Sequence, residues 1–234
     1  MNRFIVVIPV YNAQRYIGKC IESVLSQDYK NYKVIVVNDG STDRTGLLVK
    51  RYPVWSATLN DHIGSPVYST LVGIETISDN KEDIILILGG DDWLADDEVL
   101  SYLDMIYKKD VWMTYGQFKT LTGKYEGFSR PVIDTRTYRK SGEWYTSSPV
   151  TFKRWLWDKV DPEDFKYNGK WLICAADRAY MYPMIEMAGR HVRCLDKVLY
   201  IYNDLNPINS FRIRPGECME RADYVINKLE YKEL

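Results

Sequence analysis

The chain has 234 residues, of which 46% are hydrophobic and 27% are charged, a composition typical of a soluble globular protein and unlike that of a disordered or fibrous one. Its 31 Lys and Arg side chains nearly balance its 32 Asp and Glu side chains, which argues against a dedicated nucleic-acid-binding protein. No apolar run approaches the ~20 residues that a membrane-spanning helix needs, so no transmembrane segment is expected.

The N-terminal part of the chain alternates apolar runs with stretches of helical spacing. Residues 4–10 form a continuous apolar run rich in β-branched residues, which predicts a strand buried on both faces of a parallel sheet. Because this run follows Met1 so closely, we expect no signal peptide and a location in the cytosol or on the cytosolic face of a membrane. Further strands are predicted at 34–37, 55–59 and 84–88, and helices at 16–25, after 43 and at 69–78. This order predicts an α/β fold with a mainly parallel central sheet flanked by helices.

Beyond residue 96 the pattern becomes more mixed. We predict a helix to about 108, a strand at 111–115 that enters a small antiparallel hairpin with a turn at 122–123, helices at 151–160 and 176–188, and a strand at 195–202. A C-terminal helix should dock through one apolar face, formed by Met219, Ala222, Val225, Ile226 and Leu229. With no linker or repeat in view, we expect a single domain over 1–234, comprising two functional halves, 1–95 and 96–215, and the helix at 216–234.

Cysteine and aromatic residues carry less information. The four cysteines (Cys20, Cys174, Cys194 and Cys218) are far apart, and the chain has two histidines, so a Cys/His zinc site is not expected. We expect four reduced, mostly buried thiols. The 19 Tyr and 7 Trp rings could stack on sugars or bases, but most should fill the core.

Polar residues follow three of the predicted strands, at 9–12, 38–41 and 89–92. In an open parallel sheet the carboxyl ends of the strands face one ligand-binding crevice, so we expect the carboxylates among these residues to lie at its rim. Asp91 and Asp92 form the kind of pair that a hard divalent cation with phosphate co-ligands needs, although adjacent acidic residues also cap helices or stay solvated. The glycine-rich phosphate loops GxxxxGK[ST] and GxGxxG are absent.

Four motifs along the first 95 residues resemble, in order and spacing, those of the family 2 glycosyltransferases of GT-A (Rossmann-like) fold. They are Val-Val-Ile-Pro-Val-Tyr-Asn at 6–12, Cys-Ile-Glu-Ser-Val-Leu-Ser-Gln at 20–27, Val-Val-Asn-Asp-Gly-Ser-Thr-Asp at 36–43 and Leu-Ile-Leu-Gly-Gly-Asp-Asp-Trp-Leu at 86–94. More loosely, 176–189 and 198–203 look like the acceptor-side helix of that family and its following strand.

The resemblance implies a nucleotide-sugar donor, usually a UDP-sugar, and inverting transfer of a hexose of the glucose, galactose or rhamnose type. The acceptor would be a hydroxyl group of a glycan or glycoconjugate. A divalent cation, Mn²⁺ or Mg²⁺, is implied as cofactor, and the chain could be one domain of a larger multidomain transferase.

The resemblance also assigns the nucleotide-binding residues. Pro9 and Tyr11 would line the base, with Tyr11 stacking on it, and Asn12 would belong to the same nucleotide-sugar site. Asp39 would accept a hydrogen bond from N3–H of the base. The alternatives are that Tyr11 is only a packing ring and Asp39 only a turn former.

Three further carboxylates would carry the diphosphate chemistry and the transfer. Asp91 would bind the ribose region and join Asp92 as a metal ligand at the diphosphate. Asp177 falls at the acceptor-side carboxylate of the family, the general base; the alternative is a charge that merely complements a helix N-terminus. We expect the helix N-terminus and Arg178 to outweigh partial burial and to leave Asp177 ionised at neutral pH.

The sequence departs from the family pattern in two places. Ser69-Thr70-Leu71 stands where the family often has Ala-Arg-Asn, so a basic residue for the diphosphate is missing, and the metal, Arg212 or Arg214 would have to compensate. Ala176 replaces the acidic neighbour that usually precedes the base. His191 is either a third metal ligand or simply an exposed residue.

Two other functions stay open. A nucleotidyltransferase that makes nucleotide sugars would share the sheet and the acidic metal site, but it normally needs a basic glycine-rich segment, which 11–19 lacks. A nucleotide-sugar-binding module without activity of its own would be compatible with the altered segment at 69–71.

Overall fold

The computed structural model of the chain describes residues 1–208 and 210–234, excluding the side chains of residues 210 and 211. The strands are β1 (Phe4–Val10), β2 (Tyr32–Asn38), β3 (Trp55–Thr58), β4 (Ile84–Ile87), β5 (Trp93–Leu94), β6 (Met113–Thr120), β7 (Val150–Lys153), β8 (Lys166–Tyr167), β9 (Lys170–Trp171) and β10 (Val192–Tyr202). The α-helices are α1 (Ile17–Leu25), α2 (Thr45–Val49), α3 (Pro66–Ile77), α4 (Val99–Tyr107), α5 (Arg154–Trp157), α6 (Ala176–Ala188), α7 (Ser210–Ile213) and α8 (Pro215–Ile226). Short 3₁₀ turns lie at Arg139–Ser141, Pro162–Phe165 and Gly189–His191.

A mixed eight-stranded sheet, in the order β3-β2-β1-β4-β7-β6-β10-β5, forms the centre of the molecule. Its first four strands are parallel, as are β6 and β10, whereas β7 runs antiparallel to both of its neighbours and β5 antiparallel to β10. A separate antiparallel pair, β8 and β9, supplies a small second sheet. The predicted α/β architecture, with a mainly parallel sheet, flanking helices and a C-terminal helix, is confirmed.

The sheet is buried on both faces. Ile5 and Val7 of β1 point into one apolar layer, which α3 and α6 cover, and Phe4, Val6 and Ile8 point into the other, which α1 and α4 cover. Because successive side chains of a strand point to opposite faces, a strand buried on both faces has to be apolar throughout. This arrangement explains the uninterrupted apolar runs and leaves only the strand ends free to carry polar groups.

The helix predicted at 151–160 is wrong. Residues 150–153 form β7, and only Arg154–Trp157 are α-helical. Phe152 is paired with Ile85 of β4 on one side and with Met113 of β6 on the other, which makes β7 the bridge between the two halves of the sheet. The hydroxyl of Thr151 is buried and bonds with that of Thr114 at 2.6 Å. Non-local pairing on both edges therefore overrides the local helical spacing.

The C-terminal helix is correctly predicted, and so are Ala222, Val225 and Ile226 of its apolar face, but Met219, Leu229 and the end of the helix are not. Cys218, Ala222 and Val225 are buried, whereas Met219 is 62% and Leu229 90% exposed. Helix α8 ends at Ile226, so the last eight residues form no helix. Instead, the main-chain N–H of Tyr231 donates to Glu186 of α6 at 2.9 Å, which holds the tail against the body.

The predicted turn after β6 is confirmed. The segment after β6 turns back, with Lys119 bridging antiparallel to Glu126 and a turn at 120–123. The four cysteines are free, and three of them are buried. No helix in the described parts of the chain combines the length and apolarity needed to cross a bilayer.

Candidate active site

The carboxyl ends of β1, β2 and β4 meet at one edge of the sheet and form the floor of a cavity of about 380 Å³, hereafter the first cavity. Its lining includes Pro9, Tyr11, Asp39, His62, Asp91, Asn206 and Arg214. The three predicted strand-end motifs are therefore brought together, because neighbouring parallel strands end at the same edge.

Two aromatic rings stack at one end of the first cavity. The rings of Tyr11 and His62 are nearly parallel, with centroids 3.6 Å apart and an interplanar angle of 14°. The Nδ1 atom of His62 lies 3.0 Å from Oδ2 of Asp39 and 3.1 Å from the Asp39 carbonyl oxygen. The sequence analysis did not identify His62, which lies in the loop between β3 and α3 and matches none of the four motifs.

Asp39 holds this loop in place. Its carboxylate accepts hydrogen bonds of 2.8 Å from the main-chain N–H groups of Ile63 and Gly64. Gly40 allows the close approach, since an added Cβ there would lie 2.7 Å from the main-chain nitrogen of His62. Asp39 thus does stabilise a loop, as the interpretation of this residue as a turn former holds. Its contact with a base stays a prediction.

Asn12 joins the loops that follow β1 and β2. Its backbone is left-handed, with φ of 47°, and its amide oxygen accepts hydrogen bonds from the main-chain N–H groups of Thr42 and Asp43, at 2.9 and 3.3 Å. Asparagine tolerates this backbone conformation better than most residues. The structure therefore directs the Asn12 amide to the neighbouring loop, while Tyr11 beside it faces the cavity.

The adjacent carboxylates after β4 have different surroundings. Asp91 lines the first cavity, and one of its oxygens accepts a 2.6 Å hydrogen bond from the Asn206 amide. Asp92 is 5% exposed, and its carboxylate accepts hydrogen bonds from the Tyr200 hydroxyl at 2.6 Å and from the Asn203 main-chain N–H at 2.7 Å. The prediction that both carboxylates lie at the rim is therefore wrong for Asp92, because consecutive residues point to different sides of the chain.

Burial governs the charge state of both groups. It raises the pKa of Asp91 above its ordinary value, in spite of the hydrogen bond from Asn206. Burial and the nearby Asp91 charge together raise the pKa of Asp92 to about 8, although Asn203 and Tyr200 donate to it. Two carboxylates this close, with little solvent around them, favour a bound cation or a shared proton.

Gly89 and Gly90 permit this packing. A Cβ on Gly90 would lie 2.5 Å from side-chain carbons of Val10, and a Cβ on Gly89 would lie 2.7 Å from Oδ2 of Asp92. Larger residues would push β1 and the acidic pair apart. The two glycines before Asp91 thus serve close packing of the backbone.

A second cavity of about 450 Å³ adjoins the first and shares Pro9, Pro66 and Ile173 with it. Asp177, in the first turn of α6, opens into this second cavity together with Trp144 and Arg178. The Arg178 guanidinium lies over the Trp144 ring, 4.9 Å from its centroid. Much of the remaining wall is apolar.

The predicted direction of the pKa shift at Asp177 is wrong, and its ionisation at neutral pH stays a prediction. The carboxylate is accessible from the second cavity, yet protein surrounds it on the other sides, and this burial raises its pKa. The main-chain N–H of Arg178, at 2.9 Å, and the Arg178 charge oppose the shift without reversing it. A pKa moved upward, toward neutral pH, suits a general base better than the ordinary value of a carboxyl group.

The segment that lacks the basic residue lies on α3 between the two cavities. Ser69 lines the first cavity and Thr70 the second, and each is 1% exposed. Arg214, which directly precedes α8, is one of the lining residues of the first cavity. Arg212 is exposed and absent from the described lining, and Asn209 of the same loop lies outside the described residues.

His191 does not take part in the acidic site. Its ring stacks on Trp112 at 3.9 Å, and its Nδ1 lies 2.9 Å from the Asp110 carbonyl oxygen. It precedes β10 directly, whereas Tyr200, nine positions further on, contacts Asp92; an extended strand of that length spans roughly 25–30 Å. The possible role as third metal ligand is therefore wrong, and so is the expectation of a simply exposed ring, because only 12% of the side chain is exposed.

Comparison with known proteins points to one family. The sequence profile of the Glycosyl transferase family 2 matches residues 5–62. A glycosyltransferase of Streptococcus pneumoniae, GlyA, is 33% identical over 115 residues, which cover 47% of this chain and 15% of GlyA. The chain thus spans a minor part of that relative.

Solved structures share the fold at low sequence identity. Residues 1–349 of S. aureus TarS, in complex with UDP-GlcNAc, superpose with a TM-score of 0.71 at 19% identity, covering 95% of this chain and 65% of that one. The mannosyltransferase PcManGT from Pyrobaculum calidifontis, in complex with GDP-Man and Mn²⁺, gives 0.64 at 18% identity, covering 98% and 65%. These likenesses establish the fold.

Proposed function

We propose that this chain, which resembles the family 2 glycosyltransferases in sequence and shares the GT-A fold, is an enzyme that transfers a sugar from a UDP-sugar to a hydroxyl group of a glycan or glycoconjugate. The observation that carries this proposal is the pair of adjoining cavities: one lies at the strand ends with Tyr11, Asp39 and Asp91, and the other holds Asp177. A transferase needs two neighbouring sites, one for the donor and one for the acceptor.

The first cavity suits the donor. Tyr11 and His62 offer flat aromatic surface at one end, as a base requires, and Asp91 and Arg214 lie in the same lining for the ribose and diphosphate. Arg214 supplies the positive charge that 69–71 lacks. A hexose-type sugar is proposed, since the TarS complex contains UDP-GlcNAc, which has a hexose skeleton.

The acidic pair fits a divalent cation, Mn²⁺ or Mg²⁺. Both carboxylates have a raised pKa because of burial, and neither is paired with a Lys or Arg side chain among the described residues. Asp91 and Asp92 would hold the ion. The described residues contain no cluster of three or more potential ligands, so phosphate oxygens and water would complete the coordination. When bound, such an ion neutralises charge on the diphosphate.

Asp177 is the proposed general base. Its carboxylate accepts the proton of the acceptor hydroxyl while that oxygen forms a bond to the anomeric carbon and the bond from this carbon to the diphosphate oxygen breaks. Attack from the face opposite the diphosphate inverts the anomeric configuration. Ionisation of Asp177 is required, which its position open to solvent in the second cavity permits.

The first test separates an enzyme from a binding module. The purified chain is incubated with UDP-GlcNAc, UDP-glucose or UDP-galactose and Mn²⁺, and both the unfolding temperature and the release of UDP with water as acceptor are measured. A UDP-sugar should raise the unfolding temperature and release UDP slowly. Binding without any release would support the inert module instead, and a nucleotide sugar formed from a nucleoside triphosphate would support the nucleotidyltransferase.

The proposed metal site is tested by substituting two acidic residues that lie six positions apart in the sequence. Asp91→Asn should abolish the Mn²⁺-dependent part of UDP binding, whereas Asp97→Asn, at an exposed position outside the described cavity lining, should leave it unchanged. Full wild-type activity in excess EDTA would contradict the metal proposal.

A further inference from the structure

Two of the four cysteines meet in the wall of the second cavity. Cys174 lies in the loop directly before α6, and Cys218 lies in the first turn of α8. Their thiols are hydrogen-bonded to each other. Both side chains are buried, and both belong to the lining of the second cavity, so a small solute reaches them through this space. The second cavity therefore contains a pair of adjacent thiols.

The two thiols have different parts to play in an oxidation. Burial raises the pKa of Cys174 to about 12, and the hydrogen bond with Cys218 adds to the shift. Because the thiolate and not the thiol is the nucleophile, Cys174 rarely starts such a reaction at neutral pH. An oxidation of this pair would therefore start at Cys218, and Cys174 would be the thiol that closes the bond.

Each cysteine belongs to a segment that the proposed function uses. Cys174 precedes the proposed base, Asp177, by three positions, and Ala175 between them has a left-handed backbone with φ of 54°, which is strained for alanine. On the other side, the main-chain N–H of Cys218 donates to the carbonyl oxygen of Arg214 at 3.0 Å. A covalent bond between the two sulfur atoms would therefore join the segment that carries Asp177 to the segment that carries Arg214.

We propose that Cys174 and Cys218 form an oxidation-sensitive site, at which a peroxide converts the two thiols into a disulfide that slows sugar transfer. The Cys218 thiolate attacks one oxygen of hydrogen peroxide, the O–O bond breaks, and the other oxygen leaves as hydroxide, which is protonated to water. The sulfur of Cys174 then attacks the sulfenic acid on Cys218, the S–O bond breaks, and a second water leaves with the Cys174 proton. Two thiols are oxidised and one peroxide is reduced. The effect on transfer rests on the proposed function, whereas the disulfide itself does not.

The disulfide changes the geometry of the cavity wall. Its sulfur atoms lie about 2.05 Å apart, much closer than those of two hydrogen-bonded thiols, so the loop before α6 and the start of α8 have to approach each other. A displacement of about 1 Å at a reacting group costs up to about 100-fold in rate. Because Asp177 follows this loop directly, we expect oxidation to slow transfer by about 10- to 100-fold.

Cys194 provides a control within the chain. It is the one cysteine that is not buried, its hydrogen-bond partner is the Tyr115 side chain, and it is absent from the described lining of both cavities. Cys194→Ser therefore removes an accessible thiol and leaves the pair in the second cavity intact.

The test treats four forms of the chain with hydrogen peroxide: wild type, Cys174→Ser, Cys218→Ser and Cys194→Ser. Peptide mass mapping without reductant detects linked peptides, and dimedone labels sulfenic acid. Transfer is measured as the release of UDP from UDP-GlcNAc with Mn²⁺ and with water as acceptor, before oxidation, after it and after dithiothreitol.

Wild type and Cys194→Ser should both form the link between Cys174 and Cys218 and lose UDP release by about 10- to 100-fold, and dithiothreitol should reverse both changes. Cys174→Ser should form no link and should keep a dimedone-labelled Cys218. Cys218→Ser should form no link and should keep the rate of UDP release that it had before oxidation.

The outcomes separate this inference from the function on which it rests. Absence of the link in oxidised wild type would overturn the inference, and so would a link that leaves the release of UDP unchanged. An equal loss of release in Cys218→Ser would also overturn it, since peroxide would then act elsewhere in the chain. A wild-type chain that releases no UDP before oxidation would instead overturn the proposed function, and the effect on transfer with it, while the mass map would still decide whether the disulfide forms.

Discussion

The first and second cavities share a wall but are held together in different ways. Around the first cavity, polar side chains tie distant segments to one another: Asp39 binds the loop before α3, and Asp92 binds Asn203 across 111 positions of sequence. Around the second, Asp177 accepts a hydrogen bond from its own neighbour, Arg178, and much of the wall is apolar or aromatic.

Preorganisation is therefore concentrated around the first cavity. Cross-linked loops keep the first cavity in one shape, as recognition of a fixed group such as a nucleotide requires. Apolar walls without such links can change residue by residue with little effect on the fold, which would let the second cavity, the proposed acceptor site, suit different acceptors.

The largest effect is expected in the second cavity. Asp177→Asn removes the proposed base without a change of shape, so transfer should fall by about 100- to 10,000-fold. UDP affinity should change at most a few-fold, because Asp177 lies outside the described lining of the first cavity. The rate of transfer is measured as the release of UDP in the presence of an acceptor, and the affinity for UDP is measured by calorimetry. Near-wild-type transfer, or a product that keeps the donor's anomeric configuration, would refute the role of Asp177.

The next effect concerns stability, at the helix that carries Asp177. Arg139 and Glu186 of α6 form a bidentate ion pair with 1% and 2% exposure, and their nitrogen–oxygen distances are 2.7 and 2.6 Å. Arg139→Met would leave a buried carboxylate without its partner and should lower the free energy of unfolding by about 3–5 kcal/mol.

The control for that variant is the exposed ion pair Arg130–Glu143, with 60% and 57% exposure. Both variants are measured by urea unfolding, in which Arg130→Met should lower the free energy of unfolding by no more than about 1 kcal/mol. Equal losses of the free energy of unfolding in the two variants would show that burial adds nothing to the contribution of the Arg139–Glu186 ion pair.

A smaller effect is expected at the first cavity. Arg214→Ala should weaken UDP binding by about five- to tenfold, since an exposed guanidinium acts on the diphosphate through partly screened charge. Arg212→Ala, two positions earlier in helix α7, should have no measurable effect. If both variants weaken binding equally, this segment acts through its total charge, and Arg214 has no special contact.

An effect of similar size, on stability, is a dependence on pH at Asp104 of α4. Burial acts to raise the pKa of Asp104, but hydrogen bonds from Asn2, Lys108 and Tyr29 outweigh it and lower the pKa to about 2, from an ordinary 3.8. A lowered pKa in the folded state gives stability that is fully present above the unfolded value. It should be lost as pH falls from about 4 to 2, by at most about 2 kcal/mol.

The measurement is urea unfolding of wild type and Asp104→Asn over that pH range. The asparagine variant should be less stable than wild type at pH 6, and the difference should shrink as the pH falls. A constant difference would show that Asp104 acts through shape and not through its charge.

Much of the fold follows from local sequence. The apolar run at 4–10 predicts a strand covered on both faces, and helix α6 spans 176–188 as its spacing and Gly189 predict. The polar residues after three strands converge because parallel neighbours end at the same edge. In each case the information lies within a few residues of the feature that it predicts.

Other features depended on contacts between distant segments. Whether 150–153 are strand or helix depends on β4 and β6, and which of Asp91 and Asp92 faces the cavity depends on Tyr200, Asn203 and Asn206. The loop that carries His62 becomes part of the site only through Asp39.

By itself, then, the sequence determined the α/β fold, the edge of the sheet at which we propose that a ligand binds and the residue types available there, because periodicity and strand-end motifs are local properties. The tertiary structure alone decided which side chains remain free for a ligand and what charge they carry. Burial raises the pKa of Asp177 against the local pull of its helix, and hydrogen bonds engage most of Asp39 before any ligand arrives. Both depend on how much protein surrounds a group, a quantity that exists only once distant parts of the chain are packed together.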